Sequence, residues 1–407
     1  MAIVETPHRL PVPPLPIGFR AAGLHAGLKR NPSREDVALV VSDQPATAAG
    51  VYTTNLVHAA PVAFDRARTP GIGFRAVVIN SGNANACTGP RGLADAEAMA
   101  AHAAARLSVP SSGVLVLSTG IIGEFLPMAK IRAGVDEAAA RLGSDERSLV
   151  TAARGMMTTD TRPKFAGASF EIDGRWVTLC GIAKGAAMIG PRMATMLGVV
   201  MTDVAIDPSD AQTVLIEAVD RSFNCVSVDG HMSTNDTVLL LANGASGTPR
   251  LTGSALEAFG RQLHAICESL AREIADDGEG ATHLICIDVR GCRTREDART
   301  IARTVADSPL VKTAINGADP NWGRIVSAAG YAGVPFDPAG LVLRLNGITL
   351  FERGAPVPFD APMVSRSIQS NRGTLIELDL SEGAASIRFH TSDLTAEYVR
   401  LNADYHT

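Results

Sequence analysis

The stretch that decides the fold is Met193-Ala194-Thr195-Met196-Leu197-Gly198-Val199-Val200, near the middle of the 407-residue chain. A lone threonine stands there between a small residue and an apolar run that is typical of a buried strand. A β-branched residue at a strand start needs no explanation beyond strand propensity. The preceding residues, "AKGAAMIGPRMAT" (183–195), place Lys184 in a run of small residues, and together they favour a reactive threonine.

Cutting the chain before Thr195 would give that residue a complete catalytic pair. The hydroxyl of Thr195 attacks the carbonyl of Ala194, and water then opens the resulting ester. The new α-amino group has a pKa near ~8, so part of it is an unprotonated base at neutral pH. Nucleophile and base then belong to one residue. The sequence thus predicts two pieces, 1–194 and 195–407, that build one catalytic body.

Composition narrows the class of protein. Hydrophobic residues make up 46% of the chain and aromatic residues only 4%, which favours small side chains packed closely between helices and sheets. The net charge of −5 argues against nucleic acid as a partner. No apolar run is long enough to span a membrane, and the proline-containing first residues do not resemble a signal peptide. We therefore expect a cytoplasmic protein.

The six cysteines are expected to be reduced and mostly buried, since none forms a C-x-x-C pair. A zinc site built from Cys286, Cys292 and His283 stays open, although its spacing fits no common pattern.

Periodicity predicts a layered α/β protein without internal repeats. Short runs rich in β-branched residues predict strands, and apolar residues recurring every three or four positions predict helices. The predicted strands are 37–43, 75–80, 113–118, 237–242, 283–289, 340–346 and 374–380. The predicted helices are 92–107, 208–222, 254–274 and 295–306.

Polar loops follow several of these elements. In "STGIIGE" (118–124), Thr119 and Gly120 can offer a hydroxyl and a backbone N–H to an oxyanion. In "DGEGATH" (277–283), Glu279 places a carboxylate on a tight loop. The loops "NSGNANACTG" (80–89) and "MMTTDTRPK" (156–164) are either plain turns or walls of a polar pocket. In "DPNWGRI" (319–325), Trp322 can anchor a loop to the core.

These segments resemble the ornithine acetyltransferase family, also called the glutamate N-acetyltransferase family. The resemblance covers nearly the whole chain and includes "GFRAAGLHAGLK" (18–29), "SFNCVSVDGHMSTNDT" (222–237) and "NADYHT" (402–407) besides the loops above. The chain departs from the family pattern at Ala186-Ala187, where Ser-Gly is usual. It also departs at Arg192, where Asn is usual, and at His231, where an acidic residue is usual.

The resemblance implies a fold and a set of roles. The fold is a layered αββα-like sandwich of a self-cleaving N-terminal-nucleophile enzyme, with a smaller second α/β lobe. Thr195 is the implied nucleophile, and Thr119 and Gly120 stabilise the oxyanion. The implied substrate-binding residues are Thr161, Lys184, Thr195, Glu279, Asn402 and Thr407.

The resemblance also implies a reaction. Thr195 takes the acetyl group from N2-acetyl-L-ornithine and passes it to L-glutamate, which serves arginine biosynthesis. Neither a metal nor a bound cofactor is implied, and two α and two β pieces assemble. The sequence leaves open whether acetyl-CoA is also a donor. Two alternatives stay open as well, a hydrolase with the same self-cut threonine and a catalytically silent protein on the same scaffold.

Overall fold

The computed structural model of the chain describes residues 11–190 and 196–404. Its strands are β1 (Phe19–Leu24), β2 (Val37–Tyr52), β3 (Gly71–Asn83), β4 (Val114–Ile121), β5 (Lys164–Ile172), β6 (Arg175–Lys184), β7 (Leu197–Thr202), β8 (Val226–Ser227), β9 (Thr237–Ala242), β10 (Leu284–Cys292), β11 (Val342–Leu345), β12 (Ile348–Glu352), β13 (Ala355–Pro356), β14 (Gly373–Asp379) and β15 (Ala385–Ser392). Its α-helices are α1 (Ala60–Arg66), α2 (Gly89–Leu107), α3 (Met128–Ala140), α4 (Glu146–Met156), α5 (Pro208–Arg221), α6 (Gly253–Asp276), α7 (Arg295–Ala306), α8 (Pro309–Asn316), α9 (Trp322–Gly330), α10 (Ala361–Gln369) and α11 (Ala396–Asp404).

The larger sheet has the strand order β4-β3-β2-β9-β7-β6-β5, and β1 pairs with β2 off this path. The long strand β2 is irregular around Val41 and Ala46, where its register against β3 shifts. Its first part pairs with β1 and β3, and its second part pairs with β9. One strand therefore joins the two halves of this sheet.

Alternating side chains show that the two halves pack against each other. Along β2, Leu39 belongs to the core formed with α2 and α3, whereas its neighbour Val40 belongs to a central core. Along β7, Val199 belongs to the same central core, whereas Val200 packs towards α5 and α6. Because successive strand residues point to opposite faces, the layers run helix, strand, strand, helix. The predicted αββα-like sandwich is confirmed.

A second lobe follows in the later part of the chain. Its sheet has the order β13-β12-β11-β14-β10-β15-β8 and carries its own core with α7, α8, α9 and α10. Trp322, which opens α9, stacks on Phe351 with ring centroids 5.7 Å apart, so it anchors the start of that helix to this core. Helix α6 contacts β5 and β6 of the larger sheet and β15 of the smaller one. It thus links the two lobes.

The elements predicted from periodicity are confirmed, with ends that differ by at most four residues except in β2, which continues to Tyr52 where the pattern predicted an end at residue 43. The helix expected over 254–274 spans Gly253–Asp276, and the helix expected over 295–306 has those bounds. All six cysteines are free, and all except the exposed Cys87 are buried. Burial raises the pKa of the Cys180 thiol to about 12. Among the described helices, none combines the length and apolarity required to cross a membrane.

Candidate active site

One pocket of about 260 Å³ gathers most of the residues that the sequence singled out. A cavity of this size suits a ligand of amino-acid dimensions, since sites for drug-sized molecules begin near ~300 Å³. Its lining comprises Ala84, Thr119, Gly120, Ile122, Thr158, Thr159, Lys184, Ala187, Met188, Asp229, His231, Ser233, Thr234, Asn235, Glu279, Tyr398 and Asn402. Five predicted site residues are therefore brought together here, namely Thr119, Gly120, Lys184, Glu279 and Asn402.

The end of β4 places Thr119 and Gly120 at this pocket. Gly120 has a φ of +135°, and a Cβ there would lie 2.3 Å from the carbonyl carbon of Gly82 on β3, so only glycine fits. The side-chain amide of Asn235 donates to the carbonyls of Ser118 at 2.8 Å and Ala84 at 2.7 Å. This buried amide ties the loops after β3 and β4 together, which fixes the backbone that leads into Thr119.

Lys184 ends strand β6 and is only 1% exposed. Its Nζ lies 3.4 Å from the Thr119 hydroxyl, to which it donates. Burial lowers the pKa of Lys184, while the negative charge of Asp160 opposes that shift. A bound carboxylate would give this buried lysine the counter-charge that burial demands.

Asp160 is buried next to the pocket and connects two segments that line it, the end of β6 and the loop that contains Thr158. Its carboxylate accepts from Lys164 Nζ at 2.7 Å, from the Gly185 N–H at 2.6 Å and from the Thr158 N–H at 2.9 Å. Burial would raise the pKa of Asp160, but the charges of Lys164 and Lys184 hold it well below its usual range. The ionised carboxylate of Asp160 thus holds both the backbone next to Lys184 and the loop that contains Thr158.

Glu279 and the C-terminal helix α11 form the opposite side. Glu279 Oε2 accepts from Asn402 Nδ2 at 2.8 Å. The Tyr398 hydroxyl donates to Asp229 Oδ2 at 3.2 Å. A Cβ on Gly280, whose φ is +68°, would lie 2.6 Å from the Tyr398 nitrogen, so the glycine allows the helix to approach closely. The loop after α6 and helix α11 are therefore coupled at the pocket.

Met196 is anchored beside this pocket. Its N–H donates to Asp236 Oδ1 at 3.0 Å, and its carbonyl accepts from the Thr237 N–H at 3.2 Å. The next residue, Leu197, begins β7 and is paired in the sheet with Lys184 of β6 on one side and with Thr237 of β9 on the other. The start of β7 is thus held between a pocket lysine and the strand that follows Asn235.

Three predicted residues lie outside the described ranges: Ala194, Thr195 and Thr407. Their assigned roles, and the boundary between the two expected pieces, stay predictions. Thr161 is described but does not line the pocket. Its backbone N–H donates to Asp277 Oδ2 at 3.1 Å and its hydroxyl donates to Asp277 Oδ1. Thr158 and Thr159 of the same loop face the cavity instead, and the role of Thr161 in substrate binding also stays a prediction.

Several lining residues had no role assigned from sequence. They come from the segment 229–235 and from α11, and the densely polar run "VDGHMSTND" was the available signal. Asp229 accepts from the backbone N–H groups of Met188 at 2.7 Å and Ile189 at 2.8 Å. Met188 has a φ of +56°, unusual for a residue with a side chain. Asp229 thus stabilises the bend that precedes residues 191–195.

The described residues contain no group of three or more His, Cys, Asp or Glu side chains arranged to hold a metal ion. The pocket brings together the Thr119 hydroxyl, the backbone of Gly120, the buried amine of Lys184 and the carboxylate of Glu279. Such a set can orient a small zwitterionic substrate and stabilise a tetrahedral intermediate.

Comparison with known proteins gives consistent matches. A profile of the ArgJ family matches residues 20–407. The arginine biosynthesis bifunctional protein ArgJ of Rhodopirellula baltica is 46% identical over 396 residues, covering 97% of this chain and 96% of the relative. The protein of the same name from Symbiobacterium thermophilum is 48% identical over 395 residues, covering 96% of this chain and 98% of the relative. A crystal structure of arginine biosynthesis bifunctional protein ArgJ from Bacillus halodurans matches with a TM-score of 0.50 and 36% identity, covering 51% of this chain and 98% of that chain.

Proposed function

The chain belongs to the ArgJ family, and from that premise we propose that it moves the acetyl group of N2-acetyl-L-ornithine to L-glutamate through an acetylated Thr195. The observation that carries the proposal is the convergence of Thr119, Gly120, Lys184 and Glu279 on one pocket, beside the anchored start of β7. Thr195 is covalently joined to that start through Met196.

In the first half-reaction, the Thr195 hydroxyl attacks the acetyl carbonyl carbon of the donor and its own α-amino group accepts the proton. Negative charge develops on the acetyl oxygen, and the donors at Thr119 and Gly120 stabilise it. Lys184 contributes positive charge because its Nζ lies 3.4 Å from the Thr119 hydroxyl. The intermediate collapses when the protonated ornithine amine leaves, and the acetyl group stays on Thr195.

In the second half-reaction, the α-amine of glutamate attacks the acetyl-threonine ester. The same donors stabilise the second oxyanion, and the Thr195 hydroxyl is regenerated with N-acetylglutamate as product. One pocket therefore serves two amino acids in turn, which agrees with its modest volume. Lys184 provides a cation for a substrate carboxylate, and Glu279 provides an anion for a substrate ammonium.

Two observations support a cut between Ala194 and Thr195. Residues 185–190 are bent and braced, since Asp160 holds Gly185 and Asp229 holds Met188 and Ile189. The matched Bacillus halodurans polypeptide aligns over 98% of its own length yet covers 51% of this chain. Each of the two expected pieces, 194 and 213 residues long, likewise makes up about half of the 407-residue chain.

The remaining features of the proposal follow the family. The two pieces assemble as two α and two β chains in the cytoplasm, and acetyl-CoA serves as a second acetyl donor to glutamate. Transfer proceeds without a metal or bound cofactor, because the acetyl group is carried on the enzyme itself. Native mass spectrometry tests the assembly, and acetylation of glutamate by acetyl-CoA alone tests the second donor.

Mass measurement combined with an acetyl-exchange assay tests the central proposal. Freshly purified protein should give pieces of 194 and 213 residues. Thr195→Ala should stay one chain and lose transfer, whereas Thr195→Ser should retain some cutting because a hydroxyl remains. An intact wild-type chain that still transfers acetyl would overturn the proposal. Acetate release from acetylornithine at the same rate with or without glutamate would identify a hydrolase instead.

A further inference from the structure

Lys312 of helix α8 is a buried lysine in the second lobe that the proposed mechanism does not use. It is only 4% exposed. Its Nζ donates to the Val228 carbonyl at 2.8 Å, to the Thr391 hydroxyl at 2.9 Å and to the Ser392 carbonyl. A lysine ammonium has three N–H donors, so these contacts use all of them. The side chain thus joins α8 to strand β15 and to the chain that follows β8.

The three acceptors of Lys312 are neutral oxygens, so none of them neutralises its positive charge. Burial lowers the pKa of Lys312 to about 8, although the charges of Asp307, Asp393 and Asp229 oppose the shift. At pH 7 the side chain is therefore mainly an ammonium, with all three donors present. Burying a charge costs free energy, and the hydrogen bonds offset that cost. What the lysine contributes is a fixed position for the three oxygens.

The Val228 carbonyl belongs to the connecting segment (residues 226–230), which passes from the smaller sheet to the pocket. The first two residues of this segment form β8, which pairs with β15 of the smaller sheet. Its fourth residue, Asp229, lines the pocket. Lys312 holds the segment between these two ends, at the point where the chain leaves the second lobe.

The connecting segment and the bend at Met188 and Ile189 hold each other. The Ile189 carbonyl accepts from the N–H groups of Val228 at 2.8 Å and Asp229 at 3.2 Å. The Asp229 carboxylate in turn accepts from both N–H groups of the bend and from the Tyr398 hydroxyl. Met188, Asp229 and Tyr398 all line the pocket, and together they form the Asp229 wall. A displacement of Val228 would therefore move this wall as a whole.

We propose that Lys312 is a positioning residue for acetyl transfer, because its hold on the Val228 carbonyl fixes the Asp229 wall of the pocket. This inference rests on the proposed function, which supplies the substrates whose binding is measured. It makes the second lobe part of the substrate site, although α8 does not itself line the pocket.

Thr119 and Gly120 are supported from another direction. The Asn235 amide fixes the loops after β3 and β4 that lead to them. We therefore expect the loss of Lys312 to weaken the binding of substrate, while stabilisation of the oxyanion stays nearly the same. In steady-state kinetics, such a change gives a higher KM at nearly constant kcat.

Lys312→Met tests the proposal, since methionine resembles the apolar stem of lysine while all three donors are lost. We expect the KM for acetylornithine to rise at least about fivefold and kcat to change by less than about twofold.

Hydrogen–deuterium exchange followed by mass spectrometry gives a second readout on the same protein. The amides of residues 188–189 and 228–230 should exchange at least about tenfold faster than in the wild type, whereas those of β2 should not change. This measurement requires no activity.

Lys130→Met is the matched control. Lys130 Nζ also donates to a backbone carbonyl, that of Gly27 at 2.7 Å, but Lys130 is exposed on α3 and does not line the pocket. The same substitution there should leave KM, kcat and the exchange of both groups of amides at their wild-type values.

Ser367→Ala separates positioning from the general stability of the second lobe. The buried Ser367 hydroxyl accepts from the Asn346 amide at 3.0 Å and donates to the Val364 carbonyl at 2.7 Å in the same lobe. This variant should lower the melting temperature, while KM and the exchange at 188–189 and 228–230 stay unchanged.

A higher KM at constant kcat in Lys312→Met, with faster exchange confined to the two groups of amides, supports the proposal. A wild-type KM in the folded variant would overturn it, whatever the exchange rates. An equal rise in KM for Ser367→Ala would overturn it too, because the effect would then follow stability alone. If Lys312→Met does not fold, Lys312→Gln gives the same readouts, since its amide has only two donors. A wild type that transfers no acetyl group would instead overturn the proposed function, and amide exchange would still decide whether Lys312 holds the connecting segment.

Discussion

The buried carboxylate of Asp160 accepts the backbone N–H of Gly185 at 2.6 Å, directly after the pocket lysine. The same carboxylate accepts from Lys164 Nζ at 2.7 Å, and both of these side chains are fully buried. Asp160 is therefore the support on which the position and charge of Lys184 depend. We therefore expect this carboxylate, which lies outside the pocket lining, to affect both the stability of the chain and its use of substrate.

Asp160→Asn should lower the free energy of unfolding by about 1.5–3 kcal/mol, because it removes one of the two buried carboxylates that pair with Lys164 Nζ while Asp277 stays in place. Denaturant unfolding measures the loss, and the KM for acetylornithine should rise in any folded fraction. Asp173→Asn is the control, since Asp173 is an exposed turn residue at φ +49°, a conformation that asparagine tolerates. Equal stability of the two variants would contradict the supporting role of Asp160.

Thr119→Ala should lower kcat by about 100-fold to 1,000-fold with little change in KM, because an oxyanion donor acts mainly in the transition state. Steady-state kinetics of acetyl transfer on the cut enzyme measures both constants. Ser169→Ala, at an exposed position of β5, removes a hydroxyl away from the pocket and should change neither. A rise in KM at constant kcat would assign Thr119 to ground-state binding instead.

Glu279→Gln should raise the KM for acetylornithine by about 10-fold to 100-fold, since a charged hydrogen bond contributes roughly 1.5–3 kcal/mol. The glutamine can still accept from Asn402, so α11 should keep its place. Glu397→Gln is the matched control because Glu397 lies on α11, exposed, and pairs with Arg400. If both variants bind acetylornithine like the wild type, Glu279 does not bind the substrate ammonium.

Local pattern was sufficient for seven of the strands, for four of the helices and for the layered α/β class, whereas the αββα-like layer order came from the resemblance. The 3.6-residue period of α6 and the alternation along β2 and β7 each follow from side chains a few positions apart. The motifs singled out Thr119, Lys184 and Glu279 and the resemblance supplied their roles, and the fold brings the three residues to one pocket.

What could not be predicted depends on long-range geometry. Asp160 meets Gly185 across 25 positions, and Asp236 meets Met196 across 40. Such pairs depend on sheet register and loop path, which no local period encodes. The same reason explains why the sequence could not predict the position of Thr161. Its hydroxyl donates to Asp277, directly after α6, and Thr161 does not line the pocket.

Thr374→Val should be neutral or stabilise the chain by about 1 kcal/mol. The Thr374 hydroxyl is buried in β14 and finds no partner among the described residues, so its desolvation is uncompensated. Valine has nearly the same shape and suits a strand. Thr391→Val is the contrasting change, because the Thr391 hydroxyl accepts from Lys312 Nζ at 2.9 Å. A melting temperature that falls as much for Thr374→Val as for Thr391→Val would contradict the assignment.

Asp393 makes the stability of the second lobe depend on acidic pH. Its carboxylate accepts from the backbone N–H groups of Thr282 at 2.8 Å and His283 at 2.9 Å and from the Asn316 amide at 2.9 Å. Burial would raise the pKa of Asp393, but hydrogen bonds with the His283 ring, the Thr282 hydroxyl, the His283 N–H and the Asn316 amide lower it to about 2. A carboxyl pKa that is lower in the folded state stabilises the fold above the unfolded pKa near ~4, and this contribution disappears as pH falls towards 2.

Asp393→Asn should therefore lower the free energy of unfolding by about 2–3 kcal/mol at pH 6, and the difference from wild type should shrink steadily between pH 4 and pH 2. Thermal unfolding of both proteins across that range measures it. A difference that stays constant with pH would show that the charge of Asp393 does not stabilise the lobe.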